Sequence, residues 1–234
     1  MKANRILLKL SGEALMGKQE CGIDPVQLSY FAQEIAEIYQ KGFQVGVVIG
    51  GGNIFRGMQG AAKGFDRIDG DYMGMLATVM NSLALKSEFE KMGLKAIVFS
   101  GIEISPLCLK MHSKTAQSYL DTNYIVIIAG GTGNPFFTTD SAAALRALEI
   151  RADILLKGTR VDGVYDSDPE KNPNAKKYNE LTFNEAYEKK LMIMDLTAFT
   201  LCQENNLPII VFNINEQGSL SKVLENPSYG TIIK

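Results

Sequence analysis

Short apolar runs alternate with segments of helical periodicity along most of this chain of 234 residues. Most of the runs are continuously apolar, which is typical of strands that are buried on both faces of a parallel sheet. Such strands alternating with helices predict an α/β protein with a mostly parallel sheet and helices on both of its faces. The predicted strands are Arg5–Leu10, Gln44–Ile49, Lys95–Phe99, Tyr124–Ala129, Ile154–Lys157, Pro208–Phe212 and Thr231–Ile233.

Capping side chains indicate where several helices begin. Asp24 stands before Pro25 and three residues before Gln27, a pattern typical of a helix N-terminus. No linker or repeat interrupts the pattern, so it predicts a single domain. Within it, Asp162–Lys177 is rich in Asp, Asn, Pro and Lys and is expected to form a hairpin or a lobe over a site. Further helices are predicted from near Asp71 to Met92, from Thr138–Asp140 to Ile150, after Thr182 with Glu185, and over Leu196–Glu204 behind Asp195.

Charge and composition exclude several classes of protein. Lys and Arg total 24 and Asp and Glu total 26, so the net charge of −2 provides no global basic field for DNA or RNA. No run approaches 18 apolar residues, and Lys9 breaks the N-terminal apolar run, so neither a membrane span nor a signal peptide is expected. Cys21, Cys108 and Cys202 match no zinc or disulfide spacing and are expected to be reduced, cytosolic thiols.

Glycine and small polar residues follow four of the predicted strands, at Lys9–Gly12, Gly50–Asn53, Gly130–Asn134 and Lys157–Thr159. Ligands of open α/β sheets bind beyond the carboxyl ends of the strands. Glycine also removes side chains that would keep backbone amides away from a phosphate. One such turn is weak support, because tight turns need glycine anyway. Four turns on the same edge of a sheet predict a concerted anion site.

The segment Thr132–Asp140 carries three threonine hydroxyls, an asparagine amide and no charge before Asp140. This pattern predicts a polar cradle for a small ligand, with Thr138 and Thr139 donating hydrogen bonds near a helix N-terminus. The pair Phe136–Phe137 has an alternative interpretation, in which the two rings pack into the core from a loop and bind no ligand.

Individual residues of this chain disfavour the familiar nucleotide-binding motifs and the familiar hydrolytic sites. Gly12–Gln19 nearly matches a P-loop, but Gln19 lacks the hydroxyl that reaches magnesium. Phe55 and Phe136 occupy the third glycine position of the two candidate dinucleotide fingerprints. The only histidine, His112, lies in a polar stretch and is expected at the surface, which disfavours a Ser-His-Asp or a His-metal mechanism.

Two basic residues are the strongest candidates for holding an anion. Lys9 is a cation within an otherwise apolar strand, and Arg56 follows the glycines of Gly50–Gly52. Each also has a structural explanation: Lys9 as an edge residue whose ammonium reaches water, and Arg56 as a surface ion pair. With Asp140 and Asp195 available to orient a lysine or to hold water around a metal, these groups favour phosphoryl transfer between two anionic ligands.

Longer stretches resemble the bacterial uridylate kinases of the amino-acid-kinase superfamily. They occur in the expected order over nearly the whole chain: Ile6–Glu13, Val47–Gly57, Gly70–Thr78, Thr132–Asp140, Lys157–Tyr165 and Met194–Ala198. The resemblance implies a three-layer α/β/α sandwich, with an acceptor half at about residues 1–150 and an ATP-binding half at about 151–234. It also implies the reaction ATP + UMP ⇌ ADP + UDP, with Mg²⁺ carried by the nucleotide phosphates, in a cytoplasmic homohexamer built as a trimer of dimers.

The resemblance assigns roles to residues that match its motifs. The catalytic residues it implies are Lys9, Arg56, Asp140 (which orients Lys9) and Asp195. The ATP-binding residues it implies are Lys9, Leu10, Ser11, Gly12, Gly52, Arg56, Thr159, Tyr165 and Asp168. The UMP-binding residues it implies are Gly51, Asp71 (facing the ribose), Thr132, Gly133, Asn134, Pro135, Phe136, Phe137, Thr138 and Thr139.

The remaining expectations concern regulation and two alternative functions. The resemblance implies inhibition by UTP and activation by GTP, with the GTP effect linked to Gly17–Gly22. The stretch Gly101–Ser118 carries no motif of the family and is expected to lie between the UMP site and a subunit contact. One alternative is a nucleotide-sensing regulator on the same fold, and the presence of the lysine, arginine and aspartates disfavours it. The other is a kinase of a carboxylate or carbamate, whose acceptor loop would need cations in place of the uncharged Thr132–Thr139.

Overall fold

A single large sheet organises the described part of the chain, which comprises residues 3–55 and 64–234 of a computed structural model. Its strands, together with a separate two-stranded hairpin, are β1 Arg5–Leu10, β2 Gln44–Ile49, β3 Ala96–Ser100, β4 Leu109–Lys110, β5 Ile125–Ala129, β6 Ile154–Thr159, β7 Val164–Tyr165, β8 Lys177–Tyr178, β9 Glu180–Leu181, β10 Ile209–Asn213 and β11 Thr231–Ile233. The nine-stranded sheet has the order β4-β3-β5-β2-β1-β6-β10-β11-β9. All of its pairs are parallel except β10 with β11, so the expected mostly parallel sheet is confirmed.

Helices cover both faces of the sheet, as expected for three layers. In the described residues they are α1 Pro25–Gln40, α2 Arg67–Lys91, α3 Ser113–Asp121, α4 Thr139–Glu149, α5 Phe183–Glu188, α6 Leu196–Glu204 and α7 Ser219–Glu225. One core lies under α1, α2 and α7, and a second lies under α3, α4, α5 and α6. Strand residues alternate between the two cores: Ile6 and Leu8 pack into the first and Leu7 into the second.

The predicted helix caps are present where the sequence placed them. Asp24 accepts hydrogen bonds from the amides of Val26 and Gln27, and Thr182 forms a capping box with Glu185. Asp195 accepts from the Ala198 amide at the start of α6. Each cap satisfies amides that would otherwise lack a partner in the first turn of the helix.

Several boundaries differ from the sequence-based prediction. Helix α2 begins at Arg67, four residues before the predicted start, because Asp66 caps it by accepting from the amides of Ile68 and Asp69. Helices α3 and α7 and the short strands β4 and β9 were not predicted. The segment Asp162–Lys177 contributes to the hairpin of β7 with β8, as expected. No helix of residues 3–55 and 64–234 is long and apolar enough to cross a bilayer.

Lys9 lies in the middle of the sheet, because β1 pairs with β2 on one side and with β6 on the other. Its interpretation as an edge residue that reaches water is therefore wrong. Such a position requires a counter-charge or an anionic ligand nearby, since an isolated ammonium group is costly to bury.

At two glycines that follow strands, neighbouring segments of the chain come so close that a side chain would not fit. A Cβ atom on Gly12 would overlap the carbonyl oxygen of Gly50 and would lie 2.6 Å from Oδ1 of Asn53. A Cβ atom on Gly51 would lie 2.7 Å from the carbonyl oxygen of Gly74 in α2. Packing thus accounts for these glycines independently of any phosphate.

We predict that Gly12→Ala destabilises the fold by about 1–3 kcal/mol, because the methyl group meets backbone that cannot move without disturbing β2. The matched control is Gly74→Ala in the interior of α2, where an added Cβ meets no atom within 4 Å. Removing a helical glycine there is expected to stabilise the protein by about 0.5–1 kcal/mol. Urea denaturation measures both changes, and an unchanged stability for Gly12→Ala would contradict the packing argument.

Candidate active site

Two lysines and one aspartate form an ion cluster at the carboxyl ends of the central strands. Lys9 of β1 and Lys157 of β6 are register partners in neighbouring parallel strands, so their side chains project from the same face of the sheet. Asp140 lies in the first turn of α4 and reaches both ammonium groups. Its Oδ1 is 2.9 Å from Nζ of Lys9, and its Oδ2 is 2.6 Å from Nζ of Lys157. The structure therefore brings together Lys9 and Asp140, as expected, and adds Lys157.

Burial and the opposite charges of neighbouring groups shift the pKa values of Asp140 and Lys157 in opposite directions. The three side chains are only 12–16% exposed. Burial alone would raise the pKa of Asp140, but the ammonium groups of Lys9 and Lys157 outweigh it and hold that pKa below its ordinary value. Burial lowers the pKa of Lys157, and Asp140 opposes that shift. Lys157 also donates a hydrogen bond of 2.5 Å to the carbonyl oxygen of Ile193.

Asp195 acts on the same region through hydroxyl groups. Its carboxylate accepts hydrogen bonds from Thr138 and, at 2.9 Å, from Ser141, both at the beginning of α4. The same carboxylate caps α6 through the amide of Ala198. Asp195 thus joins the beginnings of two helices beside the ion cluster, and its hydrogen-bond partners do not include either lysine.

A cavity of about 450 Å³ lies on one side of the cluster, and we refer to it as the acceptor cavity. Seven of the ten residues predicted to bind UMP line it: Gly51, Asp71, Thr132, Asn134, Phe137, Thr138 and Thr139. Gly133, Pro135 and Phe136 are not among its lining residues. A Cβ on Gly133 would overlap the backbone of Gly101, so this glycine is explained by packing.

Asp71 occupies a defined position in the acceptor cavity. Its carboxylate accepts from Nε of Arg67 at 2.9 and 3.0 Å and from the Phe136 amide at 2.8 Å. These contacts tie α2 to the Thr132–Asp140 loop and compensate the negative charge from one side. The remaining lone pairs of the carboxylate suit hydroxyl donors such as those of a ribose.

A second cavity, of about 910 Å³, borders Lys9 and Lys157, and we refer to it as the donor cavity. Of the residues predicted to bind ATP, Lys9, Ser11 and Thr159 line it. Its wall also includes residues of the segment after β1, the beginning of α1 and the turn after β10: Glu13, Lys18, Gln27, Tyr30, Ile214 and Asn215.

Other predicted ATP-binding residues lie elsewhere. The side chain of Leu10 is buried in the core, and Gly12 packs against Gly50. Gly52 lines the acceptor cavity instead of the donor cavity, because it belongs to the turn that faces α2. Tyr165 and Asp168 are not among the residues that line the donor cavity.

Tyr165 and Asp168 lie in and beyond the hairpin strand β7. The Tyr165 hydroxyl donates to Asp162 at 2.5 Å, and this hydrogen bond raises the pKa of Tyr165 to about 12. Asp168 accepts from the amide of Glu170 and pairs with Lys171 at 3.3 Å. Both side chains stabilise the hairpin and the loop that follows it.

Arg56 lies outside the described residues, so its predicted role has no structural account. His112 is exposed, and its Nδ1 lies 3.1 Å from the hydroxyl of Thr115, as expected for a surface residue. Lys157 is the main functional candidate that the sequence reasoning missed. The signal was available, because Lys157 is also a cation in an otherwise apolar strand, in the same manner as Lys9.

Comparisons with known proteins show which family and which proteins this chain resembles. The family model described as the amino acid kinase family matches residues 4–213. A uridylate kinase of Parabacteroides distasonis is 54% identical over 98% of this chain and 97% of that protein. A uridylate kinase of Bacteroides thetaiotaomicron is 52% identical over 99% of this chain and 98% of that protein. The solved structure of a UMP kinase from Bacillus anthracis superposes with a TM-score of 0.96 at 36% identity, covering 100% of this chain and 97% of that one.

We predict that Asp140→Asn reduces the dependence of stability on acid pH. Because the folded pKa of Asp140 is lowered, the unfolded chain takes up its proton first as the pH falls. The carboxylate therefore contributes stability that is fully present above its unfolded pKa of about 3.9 and is lost as the pH falls through the folded value. Urea denaturation from about pH 7 to about pH 3 should show the variant less stable at neutral pH, with the difference narrowing in acid.

Glu180→Gln is the control for this series, since the side chains of Glu180 and of its ion-pair partner Lys234 are 56% and 51% exposed. Exposed pairs contribute little to stability, so this variant should follow the wild type at every pH. Stability curves of wild type and Asp140→Asn that run parallel would contradict the proposed electrostatic role of Asp140.

Proposed function

The chain belongs to the amino acid kinase family, and we propose that it is a UMP kinase, which transfers the γ-phosphoryl group of ATP to UMP and yields ADP and UDP. The observation that carries this proposal is the cluster of Lys9, Asp140 and Lys157, which borders the donor cavity while Thr138 and Thr139 beside it line the acceptor cavity. The identity with uridylate kinases over nearly the full chain supports UMP as the acceptor. The reaction belongs to pyrimidine nucleotide biosynthesis, and we propose the cytoplasm as its location.

The cluster supplies positive charge where the transferred group accumulates negative charge. Phosphoryl transfer depends mainly on positioning and on electrostatic stabilisation. In our proposal Lys9 neutralises the moving phosphoryl group, and Asp140 orients Lys9 and Lys157. Asp195 acts as a positioning residue, because it holds Thr138 at the beginning of α4. Arg56 remains a predicted second cation for the phosphates.

The acceptor cavity suits a nucleoside monophosphate. In our proposal Asp71 accepts from the ribose hydroxyls, and Thr138 and Thr139 lie at the N-terminus of α4, where the helix dipole favours an anion. The loop Thr132–Thr139 contains no charged residue. This lack of charge disfavours the alternative of a carboxylate or carbamate as the acceptor.

We assign the donor cavity to ATP. Lys9, Ser11 and Thr159 line it, and the hairpin with Tyr165 and Asp168 is proposed to close over the nucleotide. Among the described residues, no group of three or more His, Cys, Asp or Glu side chains is arranged to hold a metal ion. We propose that Mg²⁺ is carried by the donor phosphates, whose oxygens are ligands that Mg²⁺ prefers and whose charge it would neutralise.

The strand order supports the proposal that the two halves of the chain bind different substrates. Strands β1 to β5 form one side of the sheet, and β6, β10, β11 and β9 form the other. We propose that residues up to about 150 bind the acceptor and that the remainder contributes most of the ATP site. The segment after β1 also lines the donor cavity, so the ATP site draws on both halves.

We further propose a homohexamer built as a trimer of dimers. Helix α2 exposes an apolar stripe at intervals of four residues: Ile68, Tyr72, Leu76 and Met80, each at least 40% exposed. Such a stripe on a long helix is typical of a surface that another subunit covers. Activation by GTP and inhibition by UTP remain proposals that rest on the family resemblance.

The acceptor specificity tests the function directly. We predict that ADP formation from ATP and Mg²⁺ depends on UMP and is at least about a hundredfold faster, by kcat/KM, than with CMP, AMP or carbamate. A coupled assay of ADP release over this panel measures it. Equal turnover of CMP would contradict the specificity, and binding of UMP without any turnover would favour the alternative of a nucleotide-sensing regulator.

We predict that Lys9→Ala lowers kcat about a thousandfold with a much smaller change in the KM for UMP, because the ammonium acts mainly on charge that develops in the transition state. Lys91→Ala, whose side chain is 69% exposed at the end of α2, is the control and should retain normal turnover. A Lys9→Ala protein that keeps nearly full kcat would show that the cluster does not stabilise the transferred group.

A further inference from the structure

Two buried asparagines form a reciprocal amide pair behind the acceptor cavity. Nδ2 of Asn53 donates to Oδ1 of Asn81 at 3.0 Å, and Nδ2 of Asn81 donates to Oδ1 of Asn53 at 2.7 Å. Asn53 is 2% exposed and Asn81 is fully buried. Amides at such positions are costly to bury unless their polar atoms are satisfied, so the pair requires an explanation beyond filling space.

The remaining amide hydrogens connect two other parts of the chain. Asn81 donates to the carbonyl oxygen of Gly50 at 2.7 Å, and Asn53 donates to that of Gly22 at 2.8 Å. The Gly22 amide returns a hydrogen bond of 2.8 Å to the backbone oxygen of Asn53. All four side-chain N–H groups of the pair are therefore used, and the network has one defined arrangement.

The two ends of this network, Gly50 and Gly22, lie in chain segments that line different cavities. Gly51 and Gly52, in the turn that Asn81 holds through Gly50, line the acceptor cavity. Gly22 closes a segment, residues 12–24, that contributes Glu13, Lys18 and other residues to the wall of the donor cavity. The close approach of Gly12 to Gly50 and Asn53 joins the beginning of this segment to the same turn.

We propose that Asn53 and Asn81 are positioning residues that couple the two cavities, so that a ligand in the donor cavity tightens the binding of UMP in the acceptor cavity. The inference rests on the proposed function. A nucleotide held against residues 12–24 would fix Gly22 where it bonds Asn53, and Asn53 and Asn81 together fix the turn at Gly50–Gly52. The coupling is reciprocal, since UMP must tighten donor binding by the same factor.

The experiment measures the dissociation constant of UMP by calorimetry, with and without a saturating non-hydrolysable ATP analogue and Mg²⁺. In the wild type the analogue should tighten UMP binding at least about threefold. Asn81→Ala should weaken UMP binding about tenfold and abolish the effect of the analogue, while circular dichroism still shows the native fold. Loss of UMP affinity with the analogue effect intact would overturn the coupling and leave only local support of the turn.

Ser82→Ala is the matched control. Ser82 is as buried as Asn81 and lies next to it in α2, but its hydroxyl bonds the carbonyl oxygen of Thr78 within the same helix. Its removal should leave both the affinity for UMP and the effect of the analogue within about twofold of the wild type. An equal effect of Ser82→Ala would show that any cavity in α2 disturbs the site, which would overturn the specific role of the amide pair.

A measurement on the wild type keeps the inference testable if Asn81→Ala does not fold. Hydrogen exchange at the Gly22 amide should slow when UMP alone is added, because UMP orders the turn that the pair connects to Gly22. Unchanged exchange at Gly22, or a wild type without the analogue effect, would overturn the inference. A wild type that forms no ADP with UMP would instead overturn the proposed function.

Discussion

The ion pairing of Asp140 with Lys9 and Lys157 is the interaction on which the rest of the site depends. Parallel strands β1 and β6 place two ammonium groups side by side on one face of the sheet, where they repel each other. Taking one carboxylate from such a cluster typically costs about 3–5 kcal/mol, because it leaves buried charge uncompensated. The beginning of α4 must therefore sit directly over these two strands, and its position fixes both Thr138 and Thr139 in the acceptor cavity.

Helix α2 provides the second constraint, because it contacts both glycine turns that line the acceptor cavity. Thr78 accepts from the Gly130 amide at 2.8 Å, and Asn81 donates to the Gly50 carbonyl at 2.7 Å. The glycine at position 51 lets the β2 turn approach the backbone of this helix. The ends of β2 and β5 are thus held by one rigid element, whose opposite face carries the exposed apolar stripe at Leu76 and Met80.

The sequence predicted the sheet and its long strands because continuous apolar runs between capped helices allow few alternatives. Strands of two residues, such as β4 and β7, are too short to show any periodicity, and they form because the surrounding chain brings them into register. Lys9 was identified by a charge in an apolar strand, and the same criterion applied to Lys157 would have found its partner. The resemblance implied that Asp140 orients Lys9, but the second contact of Asp140, with Lys157, was not readable from the chain alone because it depends on the register of β1 with β6.

The unequal charge of the cluster determines what it can do chemically. A single lysine paired with a single carboxylate would carry no net charge and would attract a phosphate less strongly. Two lysines without Asp140 would repel each other, and burial would promote the loss of a proton from one of them, since burial lowers the pKa of Lys157 even with the carboxylate present. Asp140 opposes the loss of a proton from Lys157 and offsets only one of the two positive charges of the cluster. In the proposed reaction the remaining positive charge of the cluster faces the phosphoryl group that passes between two anions, so the stability of the fold and the proposed chemistry depend on the same three side chains.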